Sequence, residues 1–261
     1  MSDQRSDKMI IRASGFGAAM TARQSIENAK KVLLDLEAIS PWGRPFEVSG
    51  CTKETGDMPI AADLSDFEEV VMRALQSFND VRYYNRGDPD NADLTPNSFS
   101  PYGFCETFSN APSSIVYKNS IAVTINSAYV RDMASLSNAI YLIEVPLYQR
   151  GQFNEAWAHR DILYRLFDYF IDSCAPSRAI VYAQSQGNRI SKRNNSYMLG
   201  WLNYTMDPKV GEMFTATGKA VPYHGGVLLK LGDDVSVLSD PKIDAELVEI
   251  GEMLWSAGVR A

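Results

Sequence analysis

The chain has 261 residues, 45% of them hydrophobic and 22% charged, with a net charge of −7. That balance excludes a disordered, collagen-like or coiled-coil chain. Apolar runs such as Val32–Leu34 and Val227–Leu229 fall far short of a membrane span.

The acidic balance disfavours nucleic acid as a partner and favours a basic protein. Three cysteines, Cys51, Cys105 and Cys174, have no CxxC spacing, which argues against a disulfide framework and a zinc knuckle. Met1–Lys8 is polar and lacks the apolar core of a secretory signal. A reducing cytoplasm is the expected compartment. Two histidines, His159 and His224, leave little material for acid–base or metal chemistry.

In chain order, Met9–Ala13 reads as an edge strand. Ile26, Ala29, Val32, Leu33, Leu36 and Ile39 recur at helical spacing, and Pro41 ends that helix. Phe46–Val48 reads as a short strand. Ser65 and Glu68 form a capping-box pattern ahead of a helix with Phe67, Val70, Val71, Ala74, Leu75 and Phe78 on one face. Asn85–Pro101 is a long loop rich in Pro, Gly, Asn and Asp. Tyr102–Phe108, Ile121–Asn126 and Ala139–Val145 read as strands. Phe153–Cys174 is a long helix with an apolar stripe from Leu163 to Cys174. Ala179–Ala183, Tyr197–Tyr204 and Gly225–Leu231 are further strands. Asp240–Pro241 is an N-cap with proline at N1, opening a last helix through Leu247, Ile250, Met253 and Leu254.

Runs of strands without intervening helices favour antiparallel pairing. The expected fold is a single α+β domain over 1–261, a mostly antiparallel sheet with helices packed on its faces.

No nucleophile-elbow, zinc-protease, P-loop or CxxC motif is present, and no cofactor or metal is expected. His224 with Gly225–Gly226 reads as a turn entering a strand rather than an oxyanion loop. Asp88, Asp90 and Asp93 have faintly calcium-like spacing but lack the downstream glutamate such a loop needs. Cys105 and Cys174 read as small buried residues.

Charge is segregated along the chain. Ile60–Asn110 holds nine acids and three bases, whereas Arg178–Asn194 holds four bases and no acid. An acidic segment of this kind suits a basic partner and speeds its capture.

Leu199-Gly200-Trp201-Leu202-Asn203-Tyr204, followed by Gly225-Gly226-Val227-Leu228-Leu229, resembles the C-terminal half of the immunity protein 52 family of bacterial polymorphic-toxin and type VI secretion systems. The upstream order of elements agrees over roughly 20–255. The longer loop at Asn85–Pro101 and the basic stretch Gln186–Asn195 depart from the family pattern. The resemblance implies a cytoplasmic, non-enzymatic immunity protein. It would bind and neutralise a cognate toxin, typically a nuclease of restriction-endonuclease fold.

The expected partner-binding residues are Asp66, Glu69, Asp88, Asp90 and Asp93, with Tyr83 and Tyr84 as aromatic anchors. No nucleic-acid or membrane partner is expected, and oligomeric state stays open. The alternative is a carboxylate-dependent hydrolase or nucleotide-processing enzyme. It requires two or more of Asp88, Asp90, Asp93, Glu106 and His224 to converge.

Overall fold

The computed structural model describes residues 7–15, 17, 20–40, 46–49, 57–77, 94–98, 104–110, 121–126, 139–149, 152–153, 158–191, 198–233 and 240–259. In chain order the described elements are β1 (Lys8–Ser14), α1 (Ala22–Ile39), β2 (Glu47–Ser49), β3 (Asp57–Pro59), α2 (Phe67–Gln76), β4 (Cys105–Ser109), β5 (Ala122–Asn126), β6 (Ile140–Pro146), β7 (Tyr148–Gln149), β8 (Gln152–Phe153), α3 (Arg160–Cys174), β9 (Arg178–Ala183), α4 (Gln184–Ser191), β10 (Leu202–Thr205), α5 (Pro208–Ala216), β11 (Ala220–Tyr223), β12 (Gly226–Lys230) and α6 (Pro241–Ser256). The fold class is α+β, with antiparallel strand pairs and helices packed on their faces. Two compact units are formed, Met1–Ser14 with Glu144–Ala261, and Gly15–Ile143.

In the first unit the strand order is β11-β12-β10-β9-β1. The register pairs Met9 with Ala183, Leu202 with Val181, and Leu228 with both Tyr204 and Val221. The expectation that β1 is an edge strand is not met. It lies between β9 and β6, whose Glu144–Pro146 end belongs to the same unit. Met9, Ile10 and Ile11 are accordingly all buried, a continuous apolar run of the kind that interior strands carry.

Side-chain alternation divides this unit into layers. Leu229, with half-buried Val227 against it, faces Val210 and Phe214 of α5 and Leu247, Ile250 and Leu254 of α6. Each such buried side chain stabilises by about 1.5–3 kcal/mol relative to exposure. On the opposite face Lys230 and Tyr223 meet α3.

α6 starts as expected, with the Asp240 side chain accepting from the Lys242 N–H at 2.9 Å. α5 starts the same way at Asp207–Pro208, where the carboxylate accepts from Lys209 and Val210. α3 begins later than Phe153, because Gln152–Phe153 is a strand and His159 is the N-cap, accepting from Asp161 N–H through Nδ1. At its other end Ala175 takes a left-handed conformation, donates its N–H to Ile171 and precedes Pro176.

Asp7 anchors the N-terminal side of α4. Its Oδ1 accepts from Ser185 N–H at 2.9 Å, its Oδ2 from the Ser185 hydroxyl, and its carbonyl from Leu147 N–H. Arg189 of α4 then pairs with Asp244 of α6 at 2.7 Å.

In the second unit the strand order is β5-β4-β2-β3. Glu106, Phe108, Val123, Ile125 and Val48 form its buried face. α1 and α2 pack on one another, and Phe67 of α2 stacks on Phe108. α1 has a capping box built from Thr21 and Gln24. Its first two amides, Ala22 and Arg23, donate to the carbonyls of Ser98 and Pro96 at 2.9 Å. Part of the long loop is therefore a structural seat for the start of α1.

The Ser65–Glu68 capping box does not form. Leu64 sits at φ 60°, the Ser65 hydroxyl turns back to Asp63, and Asp66 occupies the N-cap without capping through its side chain. Phe78 lies outside the described residues.

Candidate partner-binding surfaces

The acidic start of α2 is one candidate surface. Asp63, Glu68 and Glu69 are exposed around its first turn. The partial positive charge of the helix N-terminus tolerates carboxylates there without further partners. Glu68 faces Arg23 at 3.6 Å across an exposed surface, and such a pair contributes little. Two hydrogen bonds from Ser65 hold the Asp63 carboxyl below its usual range.

Asp66 differs from its neighbours. It is half-buried and its Oδ1 accepts from Ala61 N–H at 2.8 Å, so one of its oxygens braces the turn. Glu69 points to solvent. Tyr83, Tyr84, Asp88, Asp90 and Asp93 lie outside the described residues. Of the residues invoked for a carboxylate enzyme, Glu106 and His224 belong to different units.

A second surface escapes the sequence reading. Tyr164, Asp168 and Asp172 fall at i, i+4 and i+8 on α3, which puts them on one face. The hairpin β11–β12 meets that face. The Tyr223 hydroxyl donates to Asp168, and His224 Nδ1 lies 2.7 Å from Asp172. The Lys230 ammonium sits over the Tyr164 ring, 5.8 Å from its centroid. Burial first, then the hydrogen bond to Asp168, pushes the Tyr223 phenol well above the ordinary tyrosine range. The i, i+4, i+8 spacing was visible in the sequence. The hairpin that completes the surface is set by pairing and was not.

The hairpin turn explains one motif. His224 at φ 42° and Gly225 at φ 78° are the two loop residues between paired Tyr223 and Gly226, the pattern of a type I′ turn. A methyl on Gly226 would lie 2.5 Å from the Thr205 carbonyl oxygen and 2.7 Å from the Tyr204 ring. His224–Gly225–Gly226 is a turn, as expected.

The Gly-Trp-Leu-Asn-Tyr motif is structural as well. A methyl on Gly200 would meet the Val181 carbonyl oxygen at 2.2 Å. Trp201 is fully buried, edge-on to Tyr164. Tyr204 is buried too, and its hydroxyl donates to the His224 carbonyl at 3.1 Å. The strand is shorter than Tyr197–Tyr204, because Met198–Gly200 runs as irregular chain held by Arg178 and Asn203.

Arg189, in the basic stretch, already pairs with Asp244. Cys105 and Cys174, expected to be buried, are half-buried. Among the described residues no group of three or more His, Cys, Asp or Glu side chains is placed to hold a metal ion, and no helix is long and apolar enough to cross a membrane.

No protein-family model and no curated protein matches the chain. The resemblance to the immunity protein 52 family rests on the sequence motifs alone. Among solved structures, the chain is similar in fold to the Pseudomonas aeruginosa T6SS protein PA0821, with a TM-score of 0.52, 10% identity, and coverage of 94% of this chain and 72% of that one.

Proposed function

We propose that this chain is a non-enzymatic immunity protein of a bacterial type VI or polymorphic-toxin system, acting in the cytoplasm by binding a basic cognate toxin. The exposed carboxylates of Glu68 and Glu69 in the first turn of α2, with exposed Asp63 just before it, carry this reading. A nuclease toxin presents a basic cleft to hold phosphates, and an exposed acidic turn is complementary to it. Charge complementarity raises the capture rate, which matters when free toxin is lethal. The fold likeness to a T6SS protein supports the type of system. The sequence motifs support the immunity role.

The test is co-expression with the product of the adjacent gene, read by growth rescue and co-purification. Rescue with a stable complex is expected from the native chain. The double variant Asp63→Lys, Glu69→Lys should fold normally and capture the toxin more slowly, with the deficit shrinking at high salt. Absence of both rescue and complex overturns the immunity reading. Equal capture by the variant moves the contact away from α2.

A further inference from the structure

The most isolated titratable group in the described structure is Glu106, on the inward face of β4 beneath α1. It is 1% exposed. Its Oε1 accepts one hydrogen bond, from the Ser25 hydroxyl at 2.9 Å. Its Oε2 is buried with no hydrogen-bond partner.

The amides at the start of α1, which carries Ser25, are all taken. Ala22 and Arg23 donate to the 94–98 segment, and Gln24 and Ser25 donate to Thr21. Among the described residues no charge faces the carboxyl from the packed elements. α1 turns Ala22, Ile26 and Ala29 inward and holds Arg23, Glu27 and Lys31 at solvent, while half-buried Lys30 reaches to α2, its ammonium over the Phe67 ring at 5.7 Å and donating to the Leu64 carbonyl. α2 contributes Phe67, Val70, Val71, Ala74 and Leu75, with Glu68, Glu69 and Arg73 outside. β5 contributes Val123 and Ile125, and β2 contributes Val48, with Glu47 on the alternate side. Asp35 and Glu37 lie half-buried further along α1, and the Tyr141 phenol accepts from Asn28 at 2.5 Å.

An ionised carboxylate in this setting has one hydroxyl donor and no counter-charge. A buried charge so poorly compensated is relieved by protonation or by letting in water. We infer that Glu106 is a proton-operated latch between α1 and β4: protonated it lets α1 seat on the strands, and ionised it loosens that packing. This inference is independent of the proposed function.

Burial raises the carboxyl to about 7 from 4.5, opposed only by the Ser25 hydrogen bond and its own backbone. The folded chain thus holds a proton that the unfolded chain has released over this range. The stabilisation is complete below the unfolded value and is lost as pH rises through the folded one.

The experiment uses the full chain and Glu106→Gln, which keeps the shape of the neutral acid. Unfolding by urea is followed at pH 5, 6, 7 and 8. Between pH 5 and 8 the unfolding equilibrium of the native chain should rise relative to the variant on the order of a hundredfold. Parallel pH profiles overturn the latch. If the variant does not fold, carbon-13 titration of the glutamate carboxyls in the native chain decides. One carboxyl with a midpoint near neutrality supports the latch, and all midpoints below about 5 overturn it.

Discussion

The carboxamide of Asn203 closes on the backbone of Gly200 from both sides. Its Oδ1 accepts from the Gly200 N–H at 2.7 Å, and its Nδ2 donates to the Gly200 carbonyl at 2.7 Å. Both residues are buried. One side chain thereby replaces the two ladder bonds that the strand cannot make as it bends before Trp201.

Asn203→Ala strands both backbone groups. An unsatisfied buried group costs about 1–3 kcal/mol, so the variant should lose about 2–4 kcal/mol in urea unfolding. Asn203→Asp keeps the acceptor but adds a buried charge, and should lose more at pH 7 than at pH 4.

Gly200→Ala and Gly226→Ala should both destabilise, because each added methyl meets backbone that cannot swing aside. Losses of about 1–3 kcal/mol are expected for overpacking of this kind. Gly218→Ala has open space and only its φ of 72° to strain it, so about 1 kcal/mol is expected there. Thermal unfolding of the three variants ranks them. Equal losses would show that backbone conformation, not crowding, sets the cost.

Ser25→Ala should carry a pH-dependent penalty. Its hydroxyl bonds Glu106, and a hydrogen bond to an ionised group contributes about 1.5–3 kcal/mol against 0.5–1.5 for a neutral one. The loss should therefore be larger at pH 8 than at pH 5. A loss independent of pH would mean that the hydroxyl acts only through packing.

Tyr223 should resist ionisation. Its phenol is raised by burial and by Asp168, so the folded protein favours the protonated form, and the stability it contributes disappears as pH climbs beyond the ordinary tyrosine range. In an ultraviolet titration, Tyr223→Phe should leave the phenolate signal below pH 11 unchanged. Asp168→Asn removes the raising charge and should bring one phenol back toward the normal range. A signal lost from the early part of the curve in Tyr223→Phe contradicts this assignment.

Where the signal was local, the sequence disclosed the fold well. Asp240–Pro241 announced α6, and the strands around Phe108, Val123 and Ile143 came from β-branched and aromatic residues bounded by turn residues. Asp207–Pro208 carries the same signature for α5. It was passed over because two apolar positions, Val210 and Phe214, make too short a stripe to register as periodic. The start of α2 was misread because Leu64 at positive φ redirects the chain, a conformation that no propensity of leucine announces.

The site was less legible than the fold. Glu68 and Glu69 advertise their exposure by their place in a first turn. By contrast, the Tyr223–Asp168 and His224–Asp172 pairs exist only because β11 and β12 are carried to α3 by strand pairing. In the sequence Glu106 is only one acid among nine in its segment, and its isolation depends on which amides of α1 are already taken.

The placement of β1 has a consequence for synthesis on the ribosome. Met9–Ala13 emerges before Gly15–Ile143, yet its partner strand Ala179–Ala183 is translated only after the whole of that unit. The strand must wait as an unpaired apolar segment while the other unit is able to complete itself. Long-range pairing of this kind is slow and leaves sticky edges uncovered. The nascent chain therefore spends an aggregation-prone interval with β1 exposed, and that strand is where a chaperone would be expected to bind.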